Sequence, residues 1–206
     1  MSPLIIVVAV FILVMAVTVF EMLRTPAGIE REHRVERGKI HSSTRTVTDA
    51  TPDEVIRLLQ TDWSWWKRAR AERMTDLGDG RKEFYFHPIR FFNLIEVRPV
   101  FLVRFEETET LPDGGKRIRA SLAGDFDGRA EYSARTGSGG TLIELAWRGA
   151  EVRNMFRFPP IAFVALIHCW RERLGVQGLR DRLNEDSTAR LQKARIGDTD
   201  PIRIQS

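Results

Sequence analysis

Between Lys67 and Val152 apolar residues recur at every second position, and no other pattern in the chain restricts its fold so tightly. Phe84 and Phe86 alternate with Glu83, Tyr85 and His87; Phe101, Val103 and Phe105 with Leu102, Arg104 and Glu106; Ile118, Ala120 and Leu122 with Arg117, Arg119 and Ser121. After a Gly124-Asp125 break, Phe126, Gly128, Ala130, Tyr132 and Ala134 alternate with polar residues, and Ile143, Leu145 and Trp147 alternate with Glu144, Ala146 and Arg148. Successive side chains of a strand point to opposite faces, so each run is a strand with one apolar and one charged face. Gly78-Asp79-Gly80, Pro112-Asp113-Gly114-Gly115 and Gly137-Ser138-Gly139-Gly140 supply the turns between them. Strands joined so closely pair antiparallel, and the expected core element is a meander covered on one side.

The flanking segments supply the cover. Lys39 to Val47, with Ser42, Thr44 and Thr46, suits a strand whose buried face hydropathy does not define. Thr51-Pro52-Asp53-Glu54 is a helix start: Thr51 caps, Pro52 fits the first helical position and Glu54 completes a capping box. Val55, Ile56, Leu58 and Leu59 give that helix its apolar face, and Asp62-Trp63-Ser64-Trp65-Trp66 ends it in an aromatic cluster. After Pro159-Pro160, Ile161 to Leu183 reads as a long helix with Phe163, Ile167, Trp170 and Leu174 on one stripe facing the sheet. Leu179 and Leu183 fall off that stripe, and Gly175 and Gly178 permit a bend between.

At the N-terminus, Leu4 to Phe20 is apolar except for Thr18, a run of about 17 residues that suffices for a tilted bilayer-spanning helix. Met1-Ser2-Pro3 carries no basic side chain, which favours a retained anchor over a cleaved secretory signal. Arg24, Arg31, Arg34, Arg37 and Lys39 all follow the run, so the positive-inside rule places the C-terminal bulk in the cytoplasm of a single-pass membrane protein. The expected organisation is an anchor over 1–23, a charged linker over 24–38, one domain over 39–184 and a flexible polar tail over 185–206. Cys169 is the single cysteine and excludes an intramolecular disulfide. The net charge of +4 is spread among acidic residues rather than gathered, which argues against nucleic acid as the partner and leaves attraction to anionic lipid headgroups.

A strand, a short helix, a run of antiparallel strands and a long C-terminal helix is an element order that resembles the START-like, helix-grip superfamily, also called SRPBCC. Thr51-Pro52-Asp53-Glu54-Val55 with Asp62-Trp63-Ser64-Trp65-Trp66 looks like the early helix and Asp-x-x-x-Trp turn of its polyketide cyclase/dehydrase-type members. Gly124-Asp125-Phe126-Asp127-Gly128, Tyr132, Gly139-Gly140-Thr141 and Trp147 look like their penultimate hairpin. The resemblance covers Lys39 to Leu183 and implies an α+β fold, a curved antiparallel sheet of about seven strands wrapped around the C-terminal helix. It also implies an apolar cavity between sheet and helix. The residues agree: Gly128, Ala130 and Ala134 are small, while Phe84, Phe86, Phe101, Phe105, Tyr132, Trp147, Ile167 and Trp170 are suited to wall such a space. The alternative is that large helix residues fill those gaps as in any packed core.

Motifs for catalysis and metal binding are absent: nothing matches H-E-x-x-H, G-x-S-x-G or C-x-x-C, and no cofactor is expected. His168 and Asp125 are the candidates for moving a proton. His168 and Cys169 adjoin on a helix and so point in different directions, and Asp125 sits where Gly124 and Gly128 suggest a solvated bend. The loops Phe91-Phe92-Asn93-Leu94-Ile95 and Met155-Phe156-Arg157-Phe158-Pro159 are apolar and flanked by arginines, suited either to dip into a bilayer interface or to fold back as a lid. The expectation is a membrane-anchored module that binds a small hydrophobic molecule such as a lipid, quinone, isoprenoid or polyketide-like compound. The alternatives are a cyclase or dehydrase acting on a hydrophobic substrate and a protein-interaction module at the membrane.

Overall fold

The computed structural model describes residues 27–69, 71–91, 95–97, 99–153 and 161–197, together with Ile5, Phe20 and Arg24. The expected anchor over Leu4 to Phe20 lies outside the described residues except for its members Ile5 and Phe20, as do residues 92–94 and 155–159 of the two apolar loops. Among the described residues no helix is long and apolar enough to cross a membrane.

Alternation produces the strands it promised. β1 (Ile29–Glu36) and β2 (Lys39–Thr48) lead to helix α1 (Pro52–Thr61) and a 3-10 helix (Ser64–Ala69). β3 (Ala71–Gly78), β4 (Arg81–Phe86), the short pair β5 (Ile89–Phe91) and β6 (Ile95–Val97), β7 (Val100–Thr110), β8 (Lys116–Gly124), β9 (Phe126–Gly137) and β10 (Gly140–Val152) follow, and helix α2 (Ile161–Gly197) closes the order. Eight strands form one sheet in the order β1-β2-β10-β9-β8-β7-β4-β3, while β5 and β6 pair apart from it. Every pairing in the large sheet is antiparallel. α1 begins as its sequence dictates, with the Thr51 hydroxyl accepting from Glu54 N–H and Glu54 Oε2 accepting from Thr51 N–H at 2.8 Å.

Three expectations need correction. The segment 24–38 is not a linker through its length: residues 29–36 form β1, paired with β2 in unbroken register and turned by Arg37 and Gly38, both at positive φ. Such a two-residue turn matches the twist of the flanking strands. Only Ile29 of this strand is buried, so hydropathy carried no trace of it, and the sheet has eight strands rather than about seven. Nor does the last helix end at Leu183. It runs to Gly197, the residues beyond Leu183 held by Arg182 with Asp186 at 3.4 Å and by the Thr188 hydroxyl donating to the Asn184 carbonyl. A helix once nucleated adds further good helix formers at little cost, so a polar continuation needs no core contact.

The third correction concerns the face that α2 turns to the sheet. Ile167 and Trp170 of the expected stripe are half-buried, Leu174 packs at the margin of the core, and the side chain of Phe163 lies outside the described set. The buried row instead runs Ala165, His168, Glu172, Val176, Leu179 and Leu183, at steps of three and four. Two of its members are polar, and a hydropathy stripe passes over them. Gly175 and Gly178 lie within the continuous helix. They let the 3-10 helix press against it: a Cβ on Gly175 would meet the Trp66 ring at 3.0 Å, and one on Gly178 would collide with the Trp65 carbonyl. Arg68 with Asp181 at 2.6 Å and Arg182 with Asp62 at 3.5 Å fasten the same contact from its rim.

Candidate functional site

The inner face of the sheet is a continuous aromatic surface. Trp63 lies 4.6 Å from Phe84 and 5.2 Å from Phe105, Phe105 is 6.2 Å from Tyr132, and Trp66 meets Phe86 edge-on at 5.9 Å. Phe86 is 5.0 Å from Phe101, which reaches Phe126 at 5.2 Å and Trp147 at 6.3 Å. Offset and edge-to-face contacts of this kind add to the burial of the rings themselves. The expected wall residues Phe84, Phe86, Phe101, Phe105, Ala130, Tyr132 and Trp147 therefore share one surface. Ile167 and Trp170 lie half-buried off the buried row of α2. Gly128 is small for a different reason from the one expected: a Cβ there would meet Ala150 Cα of the adjacent strand at 2.9 Å, where β10 bulges just past Trp147.

Where α2 crosses β2, the aromatic wall gives way to a polar centre. Glu172, 1% exposed, accepts a hydrogen bond from Ser42 at 2.5 Å through Oε2 and from Thr44 at 2.7 Å through Oε1. His168 Nε2 stands 3.4 Å from Glu172 Oε2, one helical turn away. The His168 ring stacks on Phe126 at 5.3 Å and takes the edge of Trp147 at 4.3 Å. Further along the same strand, Thr46 donates to the Gly28 carbonyl and Thr48 to Asn184 Oδ1, both at 2.8 Å. The inner face of β2 is thus a ladder of hydroxyls serving α2 and the entry to β1, which is why its buried side had no hydropathic signature.

The carboxyl of Glu172 reaches electrostatically into its surroundings. Burial, reinforced by Glu172, pushes the Tyr132 phenol well above its ordinary range. Burial and then Glu172 likewise raise the Cys169 thiol to about 12, with Arg31 pulling weakly the other way. Both groups stay protonated at neutral pH. Sequence reasoning missed Glu172 altogether. The available signal was an acid four residues after His168, set between Arg171 and Arg173, a pairing that only burial on both sides makes meaningful.

Among the described residues, the indole N–H groups of Trp63, Trp65, Trp66 and Trp147 and Nε2 of His168 are buried with no hydrogen-bond partner. A buried donor left so costs about 1–3 kcal/mol, and folded proteins keep few of them. Arg171, by contrast, lies over the Phe86 ring at 5.1 Å and donates to the His87 carbonyl at 3.5 Å. Asp125 serves the backbone: its Oδ2 accepts from Val100 N–H at 2.9 Å and its carbonyl from Arg153 N–H at 2.8 Å, tying β7 to both ends of the β9–β10 hairpin. The two proton-transfer candidates are therefore separated in role, His168 inside the polar centre and Asp125 at a strand junction. On the outer face, a groove of about 340 Å³ over β1, β2 and β10 is lined by Arg34, Arg45, Glu144 and Arg148 among others, with Arg45 and Glu144 paired at 3.0 Å. Among the described residues no group of three or more His, Cys, Asp and Glu is placed to hold a metal ion.

No protein-family model matches the sequence, and no curated protein matches it. Solved structures do match in three dimensions. The STAR-related lipid transfer protein of Xanthomonas axonopodis aligns with a TM-score of 0.54 at 13% identity, over 78% of this chain and 96% of that one. Human StAR-related lipid transfer protein 5 aligns with a TM-score of 0.54 at 9% identity, over 80% and 86%. A START superfamily protein from Mycobacterium smegmatis aligns with a TM-score of 0.50 at 10% identity, over 75% and 99%. At these identities the likeness concerns the fold: an α+β helix-grip of START type, an antiparallel sheet closed by a long C-terminal helix.

Proposed function

We propose that this START-like fold binds one small hydrophobic molecule between the inner face of its sheet and α2. The aromatic surface from Trp63 through Phe86 and Phe101 to Trp147 carries the reading, because it offers one ligand a wall of rings with a polar centre at one end. The similar structures include two named for lipid transfer, which supports the same class of ligand. Burial of apolar surface at roughly 25 cal/mol per Å² drives such binding. Leu4 to Phe20 tethers the domain to the bilayer, with the basic residues after it holding the domain on the cytoplasmic side. Native mass spectrometry of the full-length chain in mild detergent tests the binding. One lipid-sized adduct per chain is expected; a chain that carries none and takes up no fluorescent apolar probe refutes the proposal. Protease access in oriented membrane vesicles tests the tether and its direction.

The separation of 3.4 Å between His168 and Glu172 favours one further reading, a cyclase or dehydrase-type enzyme in which His168 moves a proton and Glu172 orients it. Conversion of a bound polyketide-like ketone that is lost in His168→Gln, with ligand binding retained, is the result that reading requires. Unchanged ligand recovered from the native chain counts against it.

A further inference from the structure

We infer that the ligand of this site carries an uncharged oxygen group, a hydroxyl or a carbonyl, on its apolar frame, and that Trp147 and His168 receive it while Glu172 turns away the corresponding carboxylate. The inference rests on the binding function proposed above and narrows its ligand class. Trp147 projects inward from β10 opposite Ser42, and His168 meets it from α2 with ring centroids 4.3 Å apart at 74°. The two side chains are 3% and 6% exposed. Neither Trp147 Nε1 nor His168 Nε2 has a hydrogen-bond partner in the protein, though Trp147 borders Ser42 and His168 stands beside Glu172. An indole N–H is a donor only, and an imidazole nitrogen donates or accepts according to its tautomer. A ligand hydroxyl accepts from the indole and exchanges a hydrogen bond with the imidazole in either tautomer; a carbonyl accepts from both when Nε2 carries the proton.

Charge selects against an acid. Glu172 Oε2 lies 3.4 Å from the same imidazole nitrogen, fixed by the Ser42 and Thr44 hydroxyls, so a ligand carboxylate held by His168 would sit beside a second carboxyl in a site shielded from water. Two such groups in contact cannot both ionise without a large penalty. The nearest buried arginines in sequence leave the helix about 100° to either side of Glu172. Arg171 is engaged over Phe86 and at the His87 carbonyl, and Arg173 falls by helical spacing on the flank of Cys169.

Three fluorescent probes of matched shape separate these claims on the full-length chain: pyrenebutanol, pyrenebutyrate and butylpyrene. The expected order is pyrenebutanol tightest, by about tenfold over each of the other two, the worth of one well-made hydrogen bond. In Trp147→Phe and, separately, His168→Phe, the preference for the alcohol over the hydrocarbon should fall toward one, with thermal unfolding confirming that each variant is folded. Equal affinity for alcohol and hydrocarbon, a preference untouched by both variants, or tighter binding of pyrenebutyrate overturns the inference while leaving hydrophobic binding in place. Failure of all three probes to bind removes the underlying function instead.

Discussion

Glu172 does at the residue scale what no hydropathy pattern announces: it joins the helix to the sheet through two hydroxyls rather than through apolar contact. Truncation strands Ser42 and Thr44 in a dry interior, so Glu172→Ala should cost roughly 2–4 kcal/mol in urea unfolding. Glu172→Gln, which keeps an acceptor for one hydroxyl, should lose less. Cys169 supplies a second check. With its thiol raised to about 12 by burial and by Glu172, it should resist a disulfide reagent at pH 8 in the folded protein and react at once in denaturant. The folded state binds this proton more tightly than the unfolded chain does, so stability should fall as pH rises from about 9, near the unfolded value, toward 12. Tyr132, raised for the same reasons, steepens the loss above pH 10; thermal melts across that range, with Cys169→Ala beside the native chain, measure it. His168 was legible as a candidate because histidine is chemically conspicuous. Its partner was not, since an isolated acid on a helix is ordinarily a solvated group.

Among the elements, α1 follows wholly from local chemistry: cap, proline and capping box lie within four residues. Thr51→Ala should lower stability by about 1 kcal/mol, measured by chemical denaturation. The behaviour of α2 is set elsewhere. Gly178→Ala would stabilise an isolated helix by roughly 1 kcal/mol, yet here the added methyl runs into the Trp65 carbonyl. It should destabilise the protein by about 1–3 kcal/mol, the usual cost of overpacking. The opposite sign would mean that the 3-10 helix and α2 are not in the contact described. β4, β7, β8, β9 and β10 were readable because one apolar and one charged face gave period two, whereas β5 and β6 fall at the two ends of what the sequence offered as an apolar loop. The strand of β2 was readable but its buried face was not, because that face is Ser42, Thr44, Thr46 and Thr48, whose hydroxyls are satisfied by the Gly28 carbonyl and by Glu172 and Asn184 of a helix over a hundred residues further along the chain.

For the molecule as a whole, the corrected N-terminal boundary changes where the domain begins. β1 pairs along β2 and buries Ile29, and just before it the Ala27 carbonyl accepts from Arg180 at 3.1 Å. A chain begun at Lys39 should therefore be less stable than one begun at Ala27 by at least the roughly 1.5–3 kcal/mol of Ile29 burial, seen as a lower midpoint in matched urea titrations. Equal midpoints would return residues 29–36 to the role of a spacer. By itself the sequence determined the class: alternation, turn residues and a capped helix are local signals, each written within a dozen residues, and together they admit an antiparallel sheet closed by a terminal helix. What only the tertiary structure decided is which face of α2 is buried, that β1 is a strand, and that His168, Glu172, Ser42, Thr44 and Trp147 meet. The reason is that polar groups reveal nothing in isolation. Their burial becomes favourable when distant partners satisfy them, and the fold alone brings those partners together.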